Sequence, residues 1–183
     1  MNSPKYVGAA ILSLGLVATG VVHAALSAAT DAHVSFEASG PAGMKIDGTT
    51  SDLSVTDDGT SINVTVPLAN LTTGIGLRDR HMKEKYLEVQ KYPAAVLTIA
   101  RSVMKWPASD GQAVADIPGV VQLHGQARPV TVHYEVKGEG SSFKASGHFR
   151  VNMNDFGITV PSYLGVTVKP EVDVTASFRA TGT

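Results

Sequence analysis

The chain has 183 residues, with 15 Lys and Arg against 16 Asp and Glu, no cysteine and 6% aromatic residues. A near-neutral balance with no basic stripe excludes an electrostatic grip on nucleic acid. The missing cysteines exclude disulfides, thiolate metal sites and a lipidated cysteine.

At the N-terminus, residues 6–22 form an apolar run of 17 positions behind Lys5, and Val22-His23-Ala24 places small residues where a signal peptidase reads. This predicts a cleavable signal over residues 1–24 and an exported, periplasmic mature chain over residues 25–183. That mature chain is one domain by length, carries a charge of −2 once Lys5 has left, and is large enough for a single core. The apolar run is at the short limit for a membrane span and no basic cluster follows it, so no stable span is expected in the mature form.

Strand-like segments follow at residues 34–38, 44–55 (as one piece or two) and 62–68. Residues 77–91 then break the pattern with a short, charged, helix-like insert. Met82, Tyr86 and Val89 fall on one helical face, while Asp79 with Lys83 and Arg80 with Glu84 make favourable i,i+4 pairs. Pro93 stops the helix, and strand character resumes over 95–101 and 120–124.

The last three strands are the clearest. Val130, Val132, Tyr134 and Val136 alternate with Thr131, His133, Glu135 and Lys137. Phe143, Ala145, Gly147, Phe149 and Val151 alternate with Lys144, Ser146, His148 and Arg150. Val172, Val174, Ala176 and Phe178 alternate with Asp173, Thr175 and Ser177. Each reads as a half-buried strand with one apolar and one solvated face. If the first two form a hairpin, their phases require directly paired residues whose numbers sum to an odd value. His133 and His148 then lie opposite each other or one step apart, outside the fold.

About eight strands with Gly, Asn, Asp and Pro between them and one helix give an all-β antiparallel barrel or sandwich. Strand lengths near ten residues lean toward the barrel, because a long open edge needs protection that closure supplies.

Three blocks carry a resemblance to a known family: Arg-Asp-x-His-Met at residues 78–82 leading to Lys91-Tyr92-Pro93; Val121-Gln122-Leu123-His124-Gly125 with Arg128-Pro129-Val130; and Asn154-Asp155-Phe156-Gly157-Ile158 followed by Val172-Asp173-Val174. In this order, behind a signal peptide, they resemble the YceI-like, polyisoprenoid-binding family of periplasmic lipocalin-like proteins. The resemblance covers roughly residues 34–178. It departs from the family pattern at the front, where Val34-Ser35-Phe36 runs into Glu37-Ala38-Ser39-Gly40 and the only tryptophan is Trp106. It implies an eight-stranded antiparallel lipocalin-like barrel, the helix covering one end, and an elongated apolar interior holding a long-chain, isoprenoid-like lipid. Candidate interior contacts are Phe36, Leu97, Leu123, Val132, Tyr134, Phe149, Phe156 and Phe178; any one of them reads first as ordinary core, and the set carries more than its members. Candidate head-group contacts near the helix are Arg78, Arg80 and His81.

No catalytic motif is present. There is no Gly-x-Ser-x-Gly elbow, and Gly74-Ile75-Gly76 lacks the third glycine of a dinucleotide fingerprint. No His-x-x-x-His or His-Glu-x-x-His spacing occurs, and His124, His133 and His148 fall on polar strand phases facing solvent, so no metal site and no cofactor are expected. The preferred reading is a non-enzymatic carrier or sequestering protein for an apolar lipid. Two alternatives are a filled β-sandwich interaction protein and a redox accessory protein associated with quinone or haem. Self-association into a homodimer is left open.

Overall fold

A computed structural model describes residues 26–107, 110–163 and 166–182; the predicted signal over residues 1–24 lies outside them. The described chain forms β1 (Leu26–Ser39), β2 (Lys45–Thr50), β3 (Ser54–Asp57), β4 (Ser61–Pro67), helix α1 (Gly76–His81), β5 (Ala94–Ala100), β6 (Gln112–Leu123), β7 (Gln126–Glu139), β8 (Ser142–Asn152), β9 (Ser162–Tyr163), β10 (Val166–Thr167) and β11 (Glu171–Gly182). Nine strands make one antiparallel sheet in the order β2-β1-β11-β8-β7-β6-β5-β4-β3, and β9 and β10 pair separately.

This order is an up-and-down meander curled into a barrel. Only the step from β2 to β3, which are consecutive in the chain, lacks a ladder. β3 packs beside β1 across that seam. β2 is tied instead to the loop before the helix, where the Thr49 and Thr72 amides donate to each other's carbonyls at 2.8 and 3.0 Å. The predicted antiparallel barrel with one short helix is therefore the fold, with nine strands in the main sheet rather than eight.

The hairpin register follows the predicted phases. Tyr134 pairs with Gly147, Val136 with Ala145, and His133 stands directly opposite His148. Val132, Tyr134 and Val136 are buried, while the imidazoles of His133 and His148 are more than half exposed. The segment 44–55 resolves into two strands.

Two expectations need correction. The strand expected at 120–124 begins eight residues earlier, at Gln112. Pro118 and Gly119 hide its first half, because a proline within a run demotes it as a strand. Pairing with β5 covers only Val120 to Gln122, so the missing Pro118 amide falls beyond that ladder, while pairing with β7 continues to Gln112.

The helix is also shorter than residues 77–91. α1 ends at His81, a single π turn continues to Tyr86, and Glu88 adopts φ 44°, which ends helical structure before Val89. Tyr86 and Leu87 still pack on the apolar cluster at one barrel end.

Candidate functional site: an apolar cavity

The inward phases of five strands line a partly open cavity of about 70 Å³. Ile62 and Val64 come from β4, Leu97 and Ile99 from β5, Val132, Tyr134 and Val136 from β7, Phe143, Ala145, Gly147 and Phe149 from β8, and Ala176, Phe178 and Ala180 from β11. Alternation puts them there, because every second residue of a strand faces one way. The only hydrogen-bonding side-chain groups on this lining belong to Ser146, Tyr134 and Trp106.

A strap over residues 101–107 follows β5 at one end, starting with a 3-10 turn at Arg101–Val103. Met104 and Trp106 reach the cavity from it, and the Trp106 ring meets Phe143 edge-on with centroids 5.8 Å apart. Tyr134 holds the strap down: its hydroxyl donates to the Lys105 carbonyl at 3.0 Å and accepts from the Lys105 amide at 2.7 Å. A buried phenol needs such partners, and here the strap backbone supplies both. Arg101 lies 5.4 Å over the Trp106 ring and forms an ion pair with Asp57, whose side chain has no exposed surface.

The opposite end is filled. Phe156, only 1% exposed, packs with Val121, Val151, Met153, Ile158 and Val168 in a floor that Tyr86 and Leu87 cover from the helical side. His124 belongs to this floor, contrary to the expectation that it faces solvent. It occupies the β6–β7 turn with φ 50°, followed by Gly125 at φ 74°. That pair of left-handed residues suits a two-residue hairpin turn. The imidazole is 12% exposed, lies 3.0 Å from the Phe156 carbonyl through Nδ1 and 2.7 Å from Glu88 through Nε2, and stacks at a tilt on Tyr92. Strand alternation stopped one residue before it, so the polar phase did not apply.

Of the candidate interior residues, Leu97, Val132, Tyr134, Phe149 and Phe178 line the cavity. Leu123 and Phe156 belong to the floor, and Phe36 lies over Gly48, which has no Cβ to obstruct the ring. Sequence reasoning missed Met104 and Trp106 because the strap has no periodicity to read.

The structure does not bring Arg78, Arg80 and His81 to the cavity; they sit on α1, off its lining. Arg78 is engaged with its own loop, donating from Nε to Thr73 Oγ1 and from Nη2 to the Thr73 carbonyl, both at 2.8 Å. Arg80 and His81 are exposed on α1.

Asp79 accepts from the Thr73 amide at 2.7 Å and from the hydroxyls of Thr72 and Thr73. The Arg-Asp pair of this motif thus clasps the loop that enters α1. Burial pushes the Asp79 carboxyl up, but the hydrogen bonds from Thr72 and Thr73 outweigh it and leave the group below its ordinary range. A depressed carboxylate contributes stability above its unfolded pKa of about 4 and loses it as pH falls through the folded value. Asp79→Asn should cost about 1–2 kcal/mol at pH 7. In urea titrations at stepped pH, its deficit should narrow below pH ~4, where the parent protonates. A deficit that is constant with pH would assign the cost to shape rather than charge.

An antiparallel meander curled around an apolar interior defines a barrel-like fold of the size that either fills with side chains or holds one small ligand. The YceI-like domain model matches residues 25–180, and the chain belongs to that family. A UPF0312 protein of Pseudomonas syringae pv. tomato is 33% identical over 136 residues, covering 70% of this chain and 67% of the relative. One from Enterobacter sp. is 34% identical over 107 residues, covering 54% and 52%. Among solved structures, a polyisoprenoid binding domain from Saccharophagus degradans, implicated in plant cell wall breakdown, superposes with a TM-score of 0.72 at 15% identity, covering 87% of this chain and 98% of that one. BcnA of Burkholderia cenocepacia gives 0.65 at 19% identity, covering 82% and 96%. At these identities the structural likeness is one of fold.

Proposed function

We propose that this chain is a non-enzymatic binding protein that takes a long apolar, isoprenoid-like lipid into its barrel and carries or sequesters it in the periplasm after export. The observation that carries this reading is the cavity inside the barrel, whose lining is almost wholly apolar and which Met104 and Trp106 of the strap help to line. The polyisoprenoid-binding character of the Saccharophagus domain supports the choice of ligand. Burial is worth about 0.8 kcal/mol per methylene, so a fifteen-carbon tail gains on the order of 12 kcal/mol gross. Association costs of about 4–15 kcal/mol oppose it. Tails of that length can be held by burial alone, with no catalytic or polar machinery.

The cavity of about 70 Å³ is roughly half the ~150 Å³ of an engineered apolar cavity that admits benzene. Loading a tail therefore requires Met104, Trp106 and the strap to move outward. The thioether side chain of methionine, with three rotatable bonds, suits that role. The same small volume favours a second reading, a filled barrel that binds partners through its surface.

Solvent extraction of the purified protein, with mass spectrometry of the extract and of the intact chain, separates the two. A carrier releases about one lipid per chain, and the exported chain begins at Ala25. An extract without lipid supports the filled barrel, a chain retaining residues 6–22 overturns the soluble-carrier reading, and a quinone in the extract gives the ligand a redox identity.

A further inference from the structure

Ligand-spacing motifs detect metal sites built on one helix or loop, and this chain has none. Strand pairing can assemble a site that no spacing rule sees. His133 on β7 stands directly opposite His148 on β8, and their side chains project from the outer face, 59% and 52% exposed. Directly opposed residues on one sheet face have Cβ atoms about 4.5–5.5 Å apart. Two imidazoles can converge across that span on one ion through bonds of about 2.0–2.1 Å.

A carboxylate on each outer neighbour approaches one nitrogen of each ring. Asp116, opposite His133 on β6, places Oδ1 2.7 Å from His133 Nδ1. Asp173 on β11 places Oδ1 3.5 Å from His148 Nε2. A metal-binding histidine commonly has this support: the carboxylate fixes the tautomer and orientation and leaves the other nitrogen for the ion. His133 thereby presents Nε2; the longer contact to Asp173 leaves His148 free to turn Nδ1 toward the ion. Asp173 is itself fixed by Arg150, which donates to both its oxygens at 2.8 and 2.9 Å, so the guanidinium charge beside the pair is already matched.

We propose that His133 and His148 form a site on the outside of the barrel for one divalent transition-metal ion of the Zn²⁺, Ni²⁺ and Cu²⁺ class. Imidazole nitrogens suit these ions, whereas Mg²⁺ and Ca²⁺ require oxygen ligands. Among the described residues no three ligating side chains already surround one point, so the two nitrogens hold the ion and water completes its coordination. Asp116 acts as a positioning residue for His133. The site is on the opposite face of the sheet from the cavity and does not depend on the lipid reading.

Calorimetric titration of purified, tag-free protein with Zn²⁺ and with Cu²⁺ tests it. One ion per chain is expected, with affinity falling at least tenfold in His133→Ala and in His148→Ala. Asp116→Asn should retain the stoichiometry and weaken affinity by about 10-fold or more. His33→Ala, on β1, should bind like the parent, and Mg²⁺ should give no heat. In NMR spectra the imidazole protons of His133 and His148 should respond together to a diamagnetic ion. All these side chains are exposed, so folding is preserved and loss of binding reads on the site. Undiminished affinity in the doubly substituted chain, or no binding by the parent below millimolar metal, overturns the proposal.

Discussion

Gly147→Val should empty the barrel of lipid while leaving it folded. Gly147 lies on the cavity lining in the middle of β8, opposite Tyr134. A Cβ added there meets only Val132 Cγ1, at 3.4 Å, an ordinary contact. The valine methyls then project into a cavity of about 70 Å³, blocking the space a tail occupies. Glycine inside a strand costs roughly 0.5–1 kcal/mol relative to alanine, and β-branched residues favour strands, so stability should hold or rise. Lipid per folded chain, measured by extraction with circular dichroism as the folding check, should fall at least tenfold. Phe149→Ala enlarges the same space and should change lipid content while lowering stability. Because Phe149 is only half-buried, its cost should fall below the ~3–5 kcal/mol of a fully buried phenylalanine. Arg150→Ala, outside, should keep the parent's lipid and lose little stability with its exposed Asp173 pair. Parent-like lipid in folded Gly147→Val would remove the cavity from consideration as the site.

The phase of β7, β8 and β11 was legible because each keeps period-2 alternation over its central residues, and pairing direction then fixed the His133–His148 register. Legibility ended where local rules met tertiary constraints. Pro118 and Gly119 read as a break, yet Pro118 sits where β6 has left β5, and Gly119 gives Leu97 room to approach. The helical pattern through Val89 was overridden by Glu88, whose left-handed backbone turns its carboxylate toward His124. His124 looked like one more outward residue of a strand, but the strand had ended. Trp106 was visible only as the sole tryptophan, because a strap is specified by what it covers and carries no period of its own. The cavity lining on the strands could therefore be read from sequence in part, and the strap's share of it could not.

Breaking the Arg101–Asp57 ion pair should be among the most destabilising changes in this chain. Asp57 ends β3 with a side chain that has no exposed surface, and Arg101 starts the strap with only 13% of its side chain exposed. Removing one partner of a buried pair leaves the other charge desolvated and uncompensated, a loss of about 3–5 kcal/mol. Arg101→Ala should fall at the upper end, because a short aspartate cannot reach water, whereas the longer arginine can extend its head outward. Asp57→Ala should be milder, although it also removes the acceptor for the Gly59 amide at 2.9 Å. Replacing both by leucine should recover much of the loss, since well-packed apolar side chains often match a buried pair. The single-variant costs should not add, and urea titrations of the parent, the two alanine variants and the double alanine variant measure the coupling directly. Arg101 also stacks on the only tryptophan, so the fluorescence of Trp106 reports the strap without a label. Arg101→Ala should shift that emission to the red as the indole gains water. A cost below about 1 kcal/mol together with unchanged emission would mean that the Tyr134 hydrogen bonds to Lys105 hold the strap and the ion pair does not.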